Sequence, residues 1–124
     1  MKPRSGKNKG VRLQNKVAER LREKLKDKLE YHGVETDEES LASAIKPAIM
    51  GESGVDIHLD FSSRRELGNW SIECKNQEKW NITSFWKQTT ENTSKNSKPL
   101  LVIKKNREEP LVVLRFEDFL ELLD

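Results

Sequence analysis

Val55-Asp56-Ile57-His58-Leu59-Asp60 and Trp70-Ser71-Ile72-Glu73-Cys74-Lys75 are the two stretches whose reading decides the fold. Apolar and polar residues alternate in both, the period of a β-strand. Alternation sends successive side chains to opposite faces. Asp56, His58 and Asp60 therefore oppose Val55, Ile57 and Leu59, while Ser71, Glu73 and Lys75 oppose Ile72 and Cys74. Asp56 and Glu73 are separated by 17 positions, enough for a hairpin with a modest connector over Ser62–Gly68. Neighbouring strands would bring Asp56, Glu73 and Lys75 to one spot.

Working outward, Gly51-Glu52-Ser53-Gly54 reads as a tight loop feeding the first strand. Upstream, Leu13, Val17, Leu21, Leu25 and Leu29 recur every four residues, which predicts a helix from Val11 to about His32, stopped by Gly33. Thr36-Asp37-Glu38-Glu39 resembles a capping box and predicts a short helical turn, with a short strand possible over Ile45–Met50. Downstream, Asn81 caps a helix over about Ile82–Ser94. Pro99–Lys104 is a continuous apolar run typical of a buried strand, Leu111–Phe116 is a further strand, and Glu117–Leu122 a closing helix. The order predicts an α/β fold, a mixed sheet flanked by helices in a single domain over residues 11–124. Residues 1–10 are basic and lack an apolar anchor, and read as a flexible basic tail.

Composition narrows the function classes. With one cysteine, Cys74, and two histidines, His32 and His58, the 124-residue chain has no disulfide framework, no cysteine-rich zinc site and little with which to build a Ser-His-Asp triad. A reduced, cytoplasmic setting is expected. The basic N-terminus has no apolar segment behind it, so no secretory signal or membrane span is expected. Net charge is +2, but residues 1–30 carry 11 basic against 4 acidic side chains and residues 31–60 carry 1 against 7. A basic arm beside an acidic patch suits a protein that grips phosphates and holds cations elsewhere.

Two carboxylates and an ammonium have a definite joint use. Carboxylate oxygens are hard ligands for Mg²⁺ or Mn²⁺. Asp56 and Glu73 would each supply one oxygen, and the backbone carbonyl of Cys74 a third. Lys75 would orient a water and stabilise negative charge growing on a phosphate. An acid-x-Lys triplet alone is a common surface salt bridge. The joint pattern of a Gly-rich loop, Asp56, then Glu73-Cys74-Lys75 at hairpin distance is more specific.

That pattern resembles the PD-(D/E)xK nuclease superfamily, with Gly54-Val55-Asp56 and Glu73-Cys74-Lys75 standing for its motif and Val55 in place of the proline. Within it the chain is most similar to archaeal-type Holliday junction resolvases and related small phage endonucleases. Lys9-Gly10, Gly51–Gly54, Ile72–Asn76, Gln88 and Lys98–Lys104 carry this likeness from Lys9 to Phe116. The resemblance implies a restriction-endonuclease-like core and a Mg²⁺- or Mn²⁺-dependent endodeoxyribonuclease. It also implies catalytic roles for Asp56, Glu73, Lys75 and Gln88, and a phosphate contact for Ser53.

The resolvase branch implies an acidic residue in the first helix. Glu19 has that chemistry but lies about 140° from the middle of the apolar stripe, whereas Gln14 lies within about 20° of Leu21 and Leu25. Gln14 is therefore expected at the site, with an amide where a carboxylate is usual. Arg64 and Arg65 are expected on phosphates. Lys104, Lys105 and Arg107 form a second basic cluster, which also reads as a solvated turn. Of Trp70, Trp80 and Trp86, the last is expected in the core because it falls with Ile82, Phe85 and Thr89. The expected partners are four-way or otherwise branched DNA, cut by a homodimer. Alternatives are a nickase or restriction-like enzyme on duplex or flapped DNA, and a non-catalytic DNA-binding module.

Overall fold

The computed structural model describes residues 2–49 and 54–124, with side chains from residue 9 onward. Its elements are α1 (Lys2–Tyr31), α2 (Glu38–Ala44), β1 (Ile45–Pro47), β2 (Ile57–Leu59), α3 (Phe61–Leu67), β3 (Trp70–Asn76), α4 (Ile82–Glu91), β4 (Lys98–Lys104), β5 (Leu111–Val113) and α5 (Phe116–Glu121). The five strands form one mixed sheet in the order β1-β2-β3-β4-β5. Every pair is antiparallel except β3 and β4, which run parallel and need α4 as their crossover.

Alternation along β3 and β4 builds two cores. Ile72, Cys74, Leu100 and Val102 face α1, where they pack with Leu13, Val17, Ala18, Leu21 and Leu25. Leu101 and Ile103 face the other way and pack with Phe85 of α4, flanked by Trp80, Trp86 and Val113. Trp70 joins the α1 side and donates its Nε1–H to the Leu67 carbonyl at 2.9 Å. All three tryptophans thus serve packing.

Local chemistry explains the boundaries. α1 ends in a Schellman arrangement: Gly33 has φ 78, its N–H donates to the Glu30 carbonyl, and the Val34 N–H donates to the Leu29 carbonyl. At its other end α1 begins at Lys2, ahead of the expected Val11 start, so the described part of the basic stretch is helical. Lys and Arg are good helix formers, and Pro3 falls in the first turn where a missing N–H costs no bond. Asp37 caps α2 by accepting from the Ser40 N–H at 2.7 Å.

The segment 62–68, expected to be a connector, belongs to α3 instead. Asp60 turns out of the strand pattern and caps this helix, accepting from the Ser63 N–H at 2.9 Å and from the Ser62 hydroxyl. Gly68 ends it at φ 107, and a Cβ there would come within 2.7 Å of the Trp70 indole nitrogen. β2 and β5 are also shorter than their sequence patterns suggest, and α4 stops at Glu91 with Asn92 as its C-cap.

Leu25 has no exposed surface at the centre of the α1 core. Leu25→Ala is expected to lose roughly 2–5 kcal/mol, a large part of a domain's total stability. Urea unfolding measures this, and a loss below about 1 kcal/mol would mean that α1 is not seated on the sheet.

Candidate active site

β2 and β3 are antiparallel with Ile57 opposite Ile72, and Asp56, just ahead of β2, sets its side chain in hydrogen-bond contact with that of Glu73. The Asp56 N–H donates to the Ile72 carbonyl at 2.9 Å. Regular strand β2 starts at Ile57, so at the level of Cys74 the ladder has no backbone acceptor from it. The Asp56 carboxylate takes that place: the Cys74 N–H donates to Asp56 Oδ2 at 2.7 Å. One carboxylate is thereby locked against β3, beside Glu73 and with its second oxygen free of that bond.

A residue's N–H and C=O point to the same side of a strand. The Ile72 carbonyl and the Cys74 N–H both point toward β2, so the Cys74 carbonyl points to that edge as well. Two carboxylates and one carbonyl oxygen therefore share the edge where β2 gives out. Among the described residues, no three His, Cys, Asp or Glu side chains form a metal cluster, so a cation here would rest on two side chains and the backbone.

Glu73 is 4% exposed, and Asn92 donates from Nδ2 to its Oε1 at 2.7 Å. Burial pushes the Glu73 carboxyl up to about 8; a hydrogen bond and the charge of Asp56 push the same way, while Asn92 and Lys75 pull it down. A buried carboxyl against a half-buried one, with too little positive charge around them, is the donor set that a divalent cation suits. Lys75 shares the Glu73 face and holds its Nζ 5.8 Å from the centre of the Phe85 ring. The Cys74 thiol points to the α1 core and is raised by burial and by the two carboxylates, so it packs as a thiol and is no nucleophile.

A family model described as "Phage putative PDDEXK endonuclease" matches residues 5–123, nearly the whole chain. The chain belongs to this phage PDDEXK endonuclease family. No curated protein and no solved structure matches it. The family also fits the mixed sheet with its flanking helices, a restriction-endonuclease-like arrangement.

Against the motif of this endonuclease family, Asp56, Glu73 and Lys75 are brought together and the remaining expected residues stand further out. Gln88 is exposed on α4, and its side chain makes no hydrogen bond among the described residues. The buried stripe of α4 runs Phe85, Thr89, Asn92 at i, i+4 and i+7, with Gln88 to one side. Asn92 is the residue that sequence reading missed. Its signal was there, because an asparagine closing a helix on its buried stripe must place its amide against the sheet. Gln14 is half-buried, and no hydrogen bond joins it to Asp56, Glu73 or Lys75. Glu19 faces solvent, 3.8 Å from the Lys16 ammonium. Arg64 donates to the Leu59 carbonyl at 2.5 Å and lines a cavity of about 410 Å³ that Asn92 and Ser71 also line. Arg65 lies over the Phe61 ring and 3.4 Å from Glu66. Ser53 lies outside the described residues. No helix among the described residues is long and apolar enough to cross a membrane.

In EDTA the folded chain holds the Glu73 proton up to about pH 8, whereas the unfolded chain releases it near the ordinary value of 4.5. The folded state binds more protons across that window, so stability is full below it and falls as pH rises through about 8. The thermal midpoint without metal is expected to decline over this range. Glu73→Gln keeps the Asn92 contact without a titrating proton; it should flatten the decline and exceed the parent's midpoint at the alkaline end. Parallel curves for the two proteins would remove Glu73 as the source.

Proposed function

We propose that the protein is a divalent-metal-dependent DNA endonuclease that hydrolyses phosphodiesters, with preference for branched DNA and four-way junctions above all. The observation that carries this reading is the contact between the Asp56 and Glu73 carboxyls at the end of β2, with Asp56 held by the Cys74 N–H and Lys75 beside Glu73. Asp56, Glu73 and the Cys74 carbonyl would hold Mg²⁺ or Mn²⁺. Bound there, such an ion acidifies a water and offsets charge on the phosphate. Lys75 orients the attacking water and stabilises the negative charge that develops on the phosphate. Asn92 holds the Glu73 carboxyl in one orientation. By the resemblance, Gln88 reaches the reacting phosphate from α4, and Ser53, Arg64 and Arg65 contact the DNA backbone.

Substrate choice follows from the architecture. The described residues build one sheet with its flanking helices, a surface suited to recognition of DNA by shape and backbone. A junction presents paired scissile strands, which a two-fold homodimer cuts together. The setting is the cytoplasm of the phage's host.

A synthetic four-way junction incubated with Mg²⁺ or Mn²⁺ is expected to be nicked in symmetric strands, with no product in EDTA. Equal cutting of the linear arms would replace the resolvase reading with a nickase or restriction-like one. Binding without cutting in either metal would leave a DNA-binding module. Asp56→Asn keeps an acceptor for the Cys74 N–H and Lys75→Ala leaves the carboxylates in place. Both should lower the cleavage rate by at least about 10²-fold, the scale of one lost transition-state donor, while junction affinity in EDTA is kept. Gln14→Ala is expected to slow cleavage more than Glu19→Gln, and the reverse ranking would move the first-helix site residue to Glu19.

A further inference from the structure

The largest cavity described for the protein, about 740 Å³, lies between α1 and the turn joining β4 to β5. Six cations line it: Lys9, Arg12, Lys16 and Arg20 from α1, and Lys104 and Arg107 from the far wall. No acidic residue among the described residues lines it. Lys9, Lys16 and Arg20 each have a carboxylate within 4.0 Å, at Glu78, Glu19 and Glu23. Arg12, Lys104 and Arg107 have none among the described residues, so half of the groove's positive charge is left for an outside anion.

The placement of this groove is informative. Asn76, the last residue of β3, lines it and donates to the Lys9 carbonyl of α1. Lys75, one position earlier, points to the opposite face and lies over Phe85. The groove and the candidate active site therefore meet at one end of β3 but occupy opposite faces of the sheet.

Arg107 adds a separate observation. It sits in the turn that closes the groove with φ 63, the left-handed region that favours glycine. Holding a long side chain there costs about 1–2 kcal/mol, which a glycine would avoid. A charged side chain kept at a glycine position, on the lip of a cationic groove, is better explained by what it binds than by the turn it forms.

We infer that this groove grips the phosphate backbone of the DNA arm next to the cut, and that a bound strand turns round the end of β3 from the groove to Asp56 and Glu73. The choice of DNA as the polyanion rests on the nuclease reading. A backbone that reaches both faces of one sheet has to change direction, so the groove favours a branch over a straight duplex. Arg12, Lys104 and Arg107 on phosphates make binding salt-dependent, because each contact releases condensed counterions.

The test is binding of fluorescent four-way junction and linear duplex in EDTA, across a KCl titration. Two proteins are compared with the parent: Arg107→Gly, and the triple variant Arg12→Ala, Lys104→Ala, Arg107→Gly. Each lost contact should flatten the slope of log affinity against log salt by about 1, so the triple variant flattens it by about 3. Junction affinity of the triple variant should fall by more than about tenfold at low salt, and its preference for junction over duplex should shrink. Arg107→Gly, which relieves the turn, should have a thermal midpoint at or above the parent's while its slope still flattens. Variants that keep the parent's slope and affinity overturn the groove, as does a parent that binds no DNA. Cleavage by the parent with Mg²⁺ is scored separately. A parent that cuts while its groove variants bind normally sinks only the groove. A parent with the groove-dependent slope that cuts nothing sinks only the nuclease reading.

Discussion

The hydrogen bond from the Cys74 N–H to the Asp56 carboxylate is the constraint on which the site depends. A strand that ran on past Asp56 would have satisfied that N–H with a backbone carbonyl and left the aspartate free to point into solvent. Because regular pairing gives out there, a side chain has to complete the ladder, and the side chain that does so is a charged one. The same bond brings Asp56 against Glu73 and leaves the Cys74 carbonyl facing the gap.

That proximity is costly in isolation. Glu73 is buried, raised by its burial, and set beside a second carboxyl. Buried charge is tolerated when paired or bound to a cation, and Lys75 and Asn92 answer only part of the demand. The remainder is a stability deficit located at the place where binding of a cation and a phosphate would be most rewarded. The two packed cores on either side of the sheet, one under α1 and one under α4, provide the stability that carries it.

Much of this was legible in the residues alone. The alternation in 55–60 and 70–75 gave the neighbouring strands and the shared face of Asp56, Glu73 and Lys75, because a period of two leaves no choice of face. What escaped was decided by contacts that periodicity does not record. Asp60 fits a strand pattern and a helix cap equally well, and α3 follows from the second use. Asn92 looked like the tail of a helix rather than a partner of Glu73, since only the path of the crossover brings it to the sheet. The basic groove joins α1 to a turn near residue 107, a pairing that no local pattern announces.

The parallel pairing of β3 with β4 has a bearing on how such a chain diversifies. Asn92 ends the crossover helix and touches the strand from which that crossover departed. A residue inserted or deleted within α4 would rotate everything after it by about 100° and swing the amide off the carboxyl. Length change is thus barred from the helix and pushed to the turn beyond β4, where the chain can grow or shrink while the distance between the two acids and their amide neighbour stays the same.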